Sequence, residues 1–175
     1  LFNLDSKNTI INKKIMPAEK KGIKIISMGN ILNYEEAAVW RGPMLSGAIK
    51  KLINDSVWDN LDYLLIDMPP GTGDAYLTVF KEHIVDEFIL ITTPNKLAIS
   101  DIQKTITMLR KLNISILGYI CNNIFNVTNF DNSFFLSNNI DHLGTYKFDK
   151  DILEFNLDCN SHITDKISKK IMSDV

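Results

Sequence analysis

Apolar and polar positions follow one another along this chain in blocks that predict a series of strands and helices. "IKIISMG" (23–29) is a short apolar, β-branched run closed by glycine, the pattern of a buried strand. "RGPMLSGAIKKLINDS" (41–56) sets Met44, Leu45, Ala48, Ile49, Leu52 and Ile53 at helical spacing, with Pro43 near the first turn. "YLLID" (63–67) predicts a second strand and "EFILITT" (87–93) a third, with the helical spacing of "DAYLTVFKEHIV" between them. "SDIQKTITMLRKLN" (100–113) has the clearest helical period, with Ser100 as its expected N-cap and Ile102, Ile106, Leu109 and Leu112 as its apolar face. "ISILGYI" (114–120) is a fourth strand and "HLGTYKF" (142–148) a weaker fifth. Residues 1–22, rich in Lys and Asn and without clear period, read as a surface segment; residues 121–141, heavy in Asn and Phe, read as irregular.

Strands alternating with helices of about three turns indicate βαβ units and a parallel sheet covered by helices on both faces. The strands are nearly continuous apolar runs, as expected when neither face meets water. With 175 residues, 45% hydrophobic and 23% charged, the chain is expected to form one domain with a core of its own. A formal net charge of −2 supplies no basic footprint for nucleic acid. No apolar run reaches the roughly 18 residues of a membrane span. Cys121 and Cys159 form no close pair and suggest a reducing, cytoplasmic compartment over a disulfide framework.

The candidate chemistry sits in "DYLLIDMPPGTGDAYLT" (62–78), where an apolar run ends in a carboxylate followed by prolines and glycines. Ligands of open parallel sheets sit beyond the carboxyl ends of the strands, where Asp67 is expected. A carboxylate there can hold a hydrated Mg²⁺ through its waters. Pro69 and Pro70 fix the backbone, and Gly71 and Gly73 let main-chain N–H groups approach an anion without a Cβ in the way. Asp74 is either part of an anion-binding helix start or a plain helix cap. The spacing alone leaves two readings open: a Walker-B or switch element in which Gly71 senses a γ-phosphate, and a strand ending in a solvated turn.

The longer stretch "WRGPMLSGAIKKLINDSVWDNLDYLLIDMPPGTGDAYLT" (40–78) resembles the Mrp/ApbC family of P-loop ATPases, relatives of MinD and ParA. "LITTPNKLAISDIQKTITMLRKLNISILGYICNN" (90–123) continues the resemblance, and "HLGTYKFDKDI" (142–152) is similar to the family's late "LG-x-x-P-x-D" segment. The match is firm over residues 22–123 and looser beyond, and the joining of WRGPM to DMPPGTGD is its specific feature. The resemblance implies a MinD/ParA-like P-loop fold that binds and hydrolyses ATP, forms homodimers and carries [4Fe-4S] clusters to apo-proteins. It implies that Asp67 is the Mg²⁺-associated Walker-B acid, acting through water, and Gly71 the switch glycine. It places Asn122 near the adenine base, where an amide offers both donor and acceptor to a purine edge. Thr93 and Pro94 would line the nucleotide pocket. Read without the family, Asn122 is a turn residue and Thr93–Pro94 a strand end.

The family's GKGGVGK[ST] loop and the acidic segment soon after it have no match here. Both lie upstream of the region that begins this chain, so residue 1 is expected to be an internal point of a longer ancestor, with residues 1–175 the C-terminal portion of one P-loop domain. Hydrogen bonds to charged groups contribute roughly 1.5–3 kcal/mol each, so missing several weakens nucleotide binding by roughly a thousandfold or more. The chain alone is therefore expected to be a poor ATPase. The family's CxxC pair is also absent, since "IFNVTNFDNSFF" stands where it is expected. Thiolates hold iron in such clusters, so carriage by the usual geometry is in doubt, and Cys121 and Cys159 read as structural. His142 and His162 read as surface residues. Trp40 and Arg41 belong to the motif without an assigned mechanism. "HITDKISKKIMSDV" (162–175) is either a basic amphipathic tail of the kind MinD relatives use at membranes or a last helix packing on the sheet. Two alternatives to the carrier reading stand: a degenerate, non-enzymatic partner subunit, and a MinD/ParA-like positioning ATPase.

Overall fold

Local turns, more than long-range pairing, organise the start of the chain. In the computed structural model, which describes residues 8–31, 42–68, 73–81, 84–123, 125–128, 130–147 and 161–173, β1 (Thr9–Ile11) pairs antiparallel with β2 (Lys14–Met16). β3 (Ala18–Lys20) pairs in the same way with β4 (Ile23–Ile25). Each hairpin closes through two residues with positive φ: Asn12 (49°) and Lys13 (66°), then Lys21 (53°) and Gly22 (76°). Such turns carry the right-handed twist of the flanking strands, and a two-residue loop is cheap to close. The expected surface segment at 1–22 is thus partly sheet from Thr9 onward. The buried strand expected at 23–29 is instead a three-residue hairpin arm followed by α1 (Met28–Ile31).

The chain divides into two units, Leu1–Ile84 and Val85–Val175. In the first, α2 (Gly42–Asn54) packs against α3 (Asp74–Lys81), burying Ala48, Ala75, Val79 and Phe80. The Ile15 amide donates to Asp55 O (2.8 Å) and the Val57 amide to Ile15 O (2.9 Å), so β2 is tied to the end of α2. The strand expected at 63–67 does not form: the segment belongs to no ladder among the described residues, and Leu65 is 86% exposed. An apolar run is a strand only when a partner meets its backbone, and β-propensity alone does not supply one.

The second unit holds a parallel sheet in the order β5–β6–β7, formed by Glu87–Thr92, Ser115–Asn123 and His142–Lys147. α4 (Lys96–Lys111) joins β5 to β6 and buries Ile102, Ile106 and Leu109. It starts a full turn before the expected Ser100, because Asn95 caps it by accepting the Ala98 amide (2.8 Å). It ends where Asn113 turns left-handed (φ 56°), with Ile114 N–H reaching Leu109 O and Asn113 N–H reaching Arg110 O. Leu112 therefore falls past the helix and is 40% exposed, outside the apolar face assigned to it.

The sheet carries two irregularities, one in register between β5 and β6 beside Phe88/Ile89 and one between β6 and β7 beside Tyr119/Ile120. Gly118 sits between them, and a Cβ there would lie 2.6 Å from Asp141 O and 2.7 Å from Leu143 Cγ. Within the stretch expected to be irregular, α5 (Ser133–Ser137) forms, and its fully buried Phe135 stacks on Tyr119 with ring centroids 3.7 Å apart. α6 (Ser161–Ser173) packs on β7, and its Ile167 meets the core pair Ile120 and Leu143. Lys170 pairs with Asp141. Of the two readings of the last segment, these contacts favour the packed helix.

Candidate functional site

Three parallel strands bring their carboxyl ends to one edge, and Thr93, Pro94 and Asn122, three of the residues expected to handle a nucleotide, lie there. Thr92 aligns with Cys121, and Asn122 and Asn123 align with Tyr146 and Lys147. Thr93 and Pro94 follow β5 directly and are half-buried, as is Asn122. Asn122 lies inside β6, because the strand runs three residues beyond its expected end.

The turn after β5 is held by a compact set of bonds. The Thr92 hydroxyl donates to Thr93 O (3.2 Å), and the Asn95 amide N–H donates to the same oxygen (2.8 Å). Asn95 Nδ2 donates to Thr93 Oγ1 (2.6 Å) while its Oδ1 caps α4. Both atoms of the Asn95 amide are thus committed to fixing Thr93 and the start of the helix. The sequence reading missed this residue; its signal was an Asn directly after a Pro and ahead of the helical period.

β6 closes with a second amide clasp. Asn123 Oδ1 accepts the Val127 N–H (2.9 Å), and Asn123 Nδ2 donates to Val127 O (2.8 Å). Alternation along a strand turns neighbouring side chains to opposite faces. Tyr119, Cys121 and Asn123, all buried, share one face, and Ile120 and Asn122 lie on the other. Among the described residues the Asn122 amide makes no hydrogen bond, whereas the donor and acceptor of its neighbour Asn123 are both spent.

The remaining expected residues lie in the other unit or outside the described set. Asp67 belongs to the N-terminal unit and is exposed. Its negative charge, after burial, contributes to holding the Tyr76 phenol above its ordinary value. Gly71, Trp40, Arg41 and Cys159 lie outside the described residues. Cys121 is buried and free, and burial pushes its thiol up, away from the thiolate a metal needs. No group of three or more His, Cys, Asp or Glu able to hold a metal occurs among the described residues. His142 is exposed, with Nε2 2.9 Å from Thr145 Oγ1. No helix among the described residues is long and apolar enough to cross a membrane.

Comparison with known proteins matches residues 1–165 to the ParA family model described as "NUBPL iron-transfer P-loop NTPase". An iron-sulfur cluster carrier protein of Rickettsia bellii is 38% identical over 122 residues, which is 70% of this chain and 38% of the relative. One of Pseudomonas fragi is 44% identical over 110 residues, 63% of this chain and 38% of the relative. The chain thus spans well under half the length of these relatives. Among solved structures, a nucleotide-binding protein of Archaeoglobus fulgidus in complex with ADP superposes with a TM-score of 0.60 at 22% identity, covering 94% of this chain and 64% of that one. The cell division ATPase MinD of Pyrococcus furiosus gives 0.56 at 21% identity, covering 82% and 63%. These two likenesses establish the fold as α/β of the MinD/ParA kind.

Proposed function

The chain belongs to the ParA family of NUBPL-type iron-transfer P-loop NTPases, of Mrp/ApbC kind, and on that premise we propose that it is the base-binding portion of an ATP-dependent iron–sulfur cluster carrier. The observation that carries this reading is the uncommitted Asn122 amide beside the Thr93–Pro94 turn, in a chain up to 44% identical to named carrier proteins among the relatives above. Asn122 presents a donor and an acceptor to the adenine edge, and Thr93 and Pro94, held by Asn95, line the pocket. Gly71 is the switch glycine that meets the terminal phosphate.

Asp67 suits a water-mediated Mg²⁺: it is an exposed carboxylate, and Mg²⁺ retains most of its waters. The ion, when bound, offsets phosphate charge during transfer to water; Asp67 orients the hydrating shell. Thiolate ligation by Cys121 does not fit, because that thiol is buried and held protonated. The cluster is cargo, and no step of its handling is derived through Cys121. The whole protein acts as a cytoplasmic homodimer that passes clusters to apo-proteins. Residues 1–175 form a portion of one P-loop domain, for which a single cooperative urea transition is expected; two separate transitions would overturn that grouping.

The test uses the complete P-loop protein bearing these residues. Asp67→Ala is expected to lower ATP hydrolysis at least a hundredfold, and Asn122→Ala to raise KM for ATP more than it lowers kcat. Unchanged hydrolysis in Asp67→Ala refutes the metal assignment. Failure of the anaerobically reconstituted protein to deliver a cluster to an apo-ferredoxin refutes the carrier reading.

A second reading, a non-enzymatic partner subunit, is favoured by one feature: "IFNVTNFDNSFF" carries no cysteine where the family has its pair. Co-purification with a complete homologue would support it. The positioning-ATPase reading is disfavoured by α6, whose Ile167 is engaged with the sheet core.

A further inference from the structure

The two N-terminal hairpins repeat one arrangement at their turns. Directly opposed residues of an antiparallel pair share a face. Beside the Asn12–Lys13 turn that pair is Ile11 and Lys14, and beside the Lys21–Gly22 turn it is Ile23 and Lys20. Each hairpin therefore sets an isoleucine next to a lysine, with a further lysine in the turn itself. Ile10, Ile11 and Ile23 are 63%, 55% and 51% exposed. Lysines on short strands guard open edges, yet that role asks for no exposed isoleucines. Residues 8–31 hold five lysines and one acid, Glu19, a local charge of +4 in a chain of net −2. One short segment carries both hairpins. Lys14 Nζ donates to Asn54 O (3.3 Å), and Ile15 bonds the backbone of Asp55 and Val57. Lys24 Nζ donates to Trp58 O (2.9 Å) and pairs with Asp59. Asn8, buried, donates from Nδ2 to Met16 O (3.4 Å) and Ile25 O (2.9 Å), the last residues of β2 and β4. A chain extended from residue 54 to 59 spans at most about 17 Å, so the two turns are held near one another.

We propose that this pair of turns docks the protein on an anionic lipid surface. Attraction of lysines to anionic headgroups needs no fixed geometry. The isoleucines bury at the boundary of headgroups and acyl chains, as the apolar face of an interfacial helix does. Composition separates lipid from other anionic partners. Protein interfaces favour Tyr, Trp and Arg and are depleted in Lys. Single-stranded nucleic acid is held by stacking on aromatic rings. Residues 8–31 contain no aromatic residue and no arginine.

The test is vesicle flotation of the 175-residue chain, with phosphatidylcholine vesicles set against mixed phosphatidylcholine–phosphatidylglycerol vesicles. Far-UV circular dichroism checks folding of every variant. Wild type is expected to float only with the anionic vesicles and to be released by high salt. Lys13→Gln combined with Lys21→Gln is expected to weaken partition by about thirtyfold, the equivalent of two lysines at about 1 kcal/mol each. Ile11→Ser combined with Ile23→Ser is expected to lose binding although the charge is unchanged. Lys13→Arg combined with Lys21→Arg is expected to keep it. Lys169→Gln, at an exposed position of α6, is expected to float as wild type. Equal flotation with both kinds of vesicle, no flotation, or flotation unchanged in the folded Gln and Ser variants overturns the proposal. Flotation lost in Lys169→Gln and kept in the hairpin variants overturns it in favour of the last helix. Binding of poly-glutamate or of duplex DNA in place of vesicles overturns the lipid assignment.

Discussion

Gly118→Ala should strongly destabilise the C-terminal unit. The added Cβ would stand 2.6 Å from Asp141 O, 2.7 Å from Leu143 Cγ and 3.0 Å from Leu143 Cδ2. An ordinary C···O approach is about 3.3–3.6 Å, so β6 and β7 must separate by roughly 0.7–1 Å at this point. Two things resist. Leu143 is only 2% exposed and has no room to retreat, which puts the overpacking cost at about 1–3 kcal/mol. Asp141 O is also the acceptor of the Tyr119 N–H at 2.8 Å, and moving it forfeits about 0.5–1.5 kcal/mol. The φ of +155° adds strain that an alanine tolerates poorly. The sum, about 2–4 kcal/mol, is a large share of the 5–15 kcal/mol that hold a typical domain together. Urea denaturation followed by circular dichroism, with the near-ultraviolet signal of the Tyr119–Phe135 stack as a local probe, measures it. Gly47→Ala is the contrast: nothing lies within 4 Å of its Cβ, it sits within α2, and the helix should gain about 0.5–1 kcal/mol. A Gly118→Ala chain that loses less than about 0.5 kcal/mol, well below the overpacking range, would refute the reasoning about close approach.

Further outcomes follow from the clasp and from the buried thiol and phenols. Asn123→Ala strips both partners from the Val127 backbone and should cost about 1–3 kcal/mol; hydrogen exchange at the Val127 amide should accelerate, and Asn123→Asp, which keeps the acceptor, should restore much of its protection. Burial raises the Cys121 thiol, and it is the largest cause raising the Tyr76 and Tyr119 phenols. The folded state therefore keeps protons that the unfolded chain releases at its ordinary values of 9.0 and 10.0. Stability is present in full below those values and falls as pH rises through them toward the raised ones. A pH series of urea midpoints, repeated on Cys121→Ala, should show the earliest part of the alkaline loss removed. In the native chain Cys121 should react with a thiol reagent only as fast as the unit opens, and prompt labelling would contradict its burial.

The sequence made the C-terminal unit legible because each element there agrees with its neighbours. The period of Ile102, Ile106 and Leu109, the apolar runs at 87–93 and 114–120, and the weaker 142–148 all became elements of one sheet-and-helix unit. Boundaries were less visible. Asn95 outcompeted Ser100 as cap because its amide bonds both the helix and Thr93, a choice settled by the turn and not by the helix pattern. Residues 63–67 read as a strand from composition, yet pairing is a property of two segments and the run names only one. The N-terminal hairpins were missed because arms of three residues are too short for alternation to register, and Asn12–Lys13 and Lys21–Gly22 are weaker turn signals than Asn–Gly. At the site, Asn122 and the Thr93–Pro94 turn could be named from a motif. That Asn122 lies within a strand and not in a turn could not, because only pairing with β7 carries β6 that far.

The tight turns at Asn12–Lys13 and Lys21–Gly22 also bear on the order in which the chain gathers itself. Hairpins of this size zip within microseconds, but a lone two-stranded ribbon in water is only marginally stable. Both therefore form early and reversibly, without committing the molecule. The parallel ladder from β5 to β7 spans residues 87 to 147 and must close two long crossovers before any of its bonds repay the lost entropy. Commitment thus belongs to the late-synthesised half, and a chain halted on the ribosome before β7 emerges would hold ribbons and helices but no finished sheet.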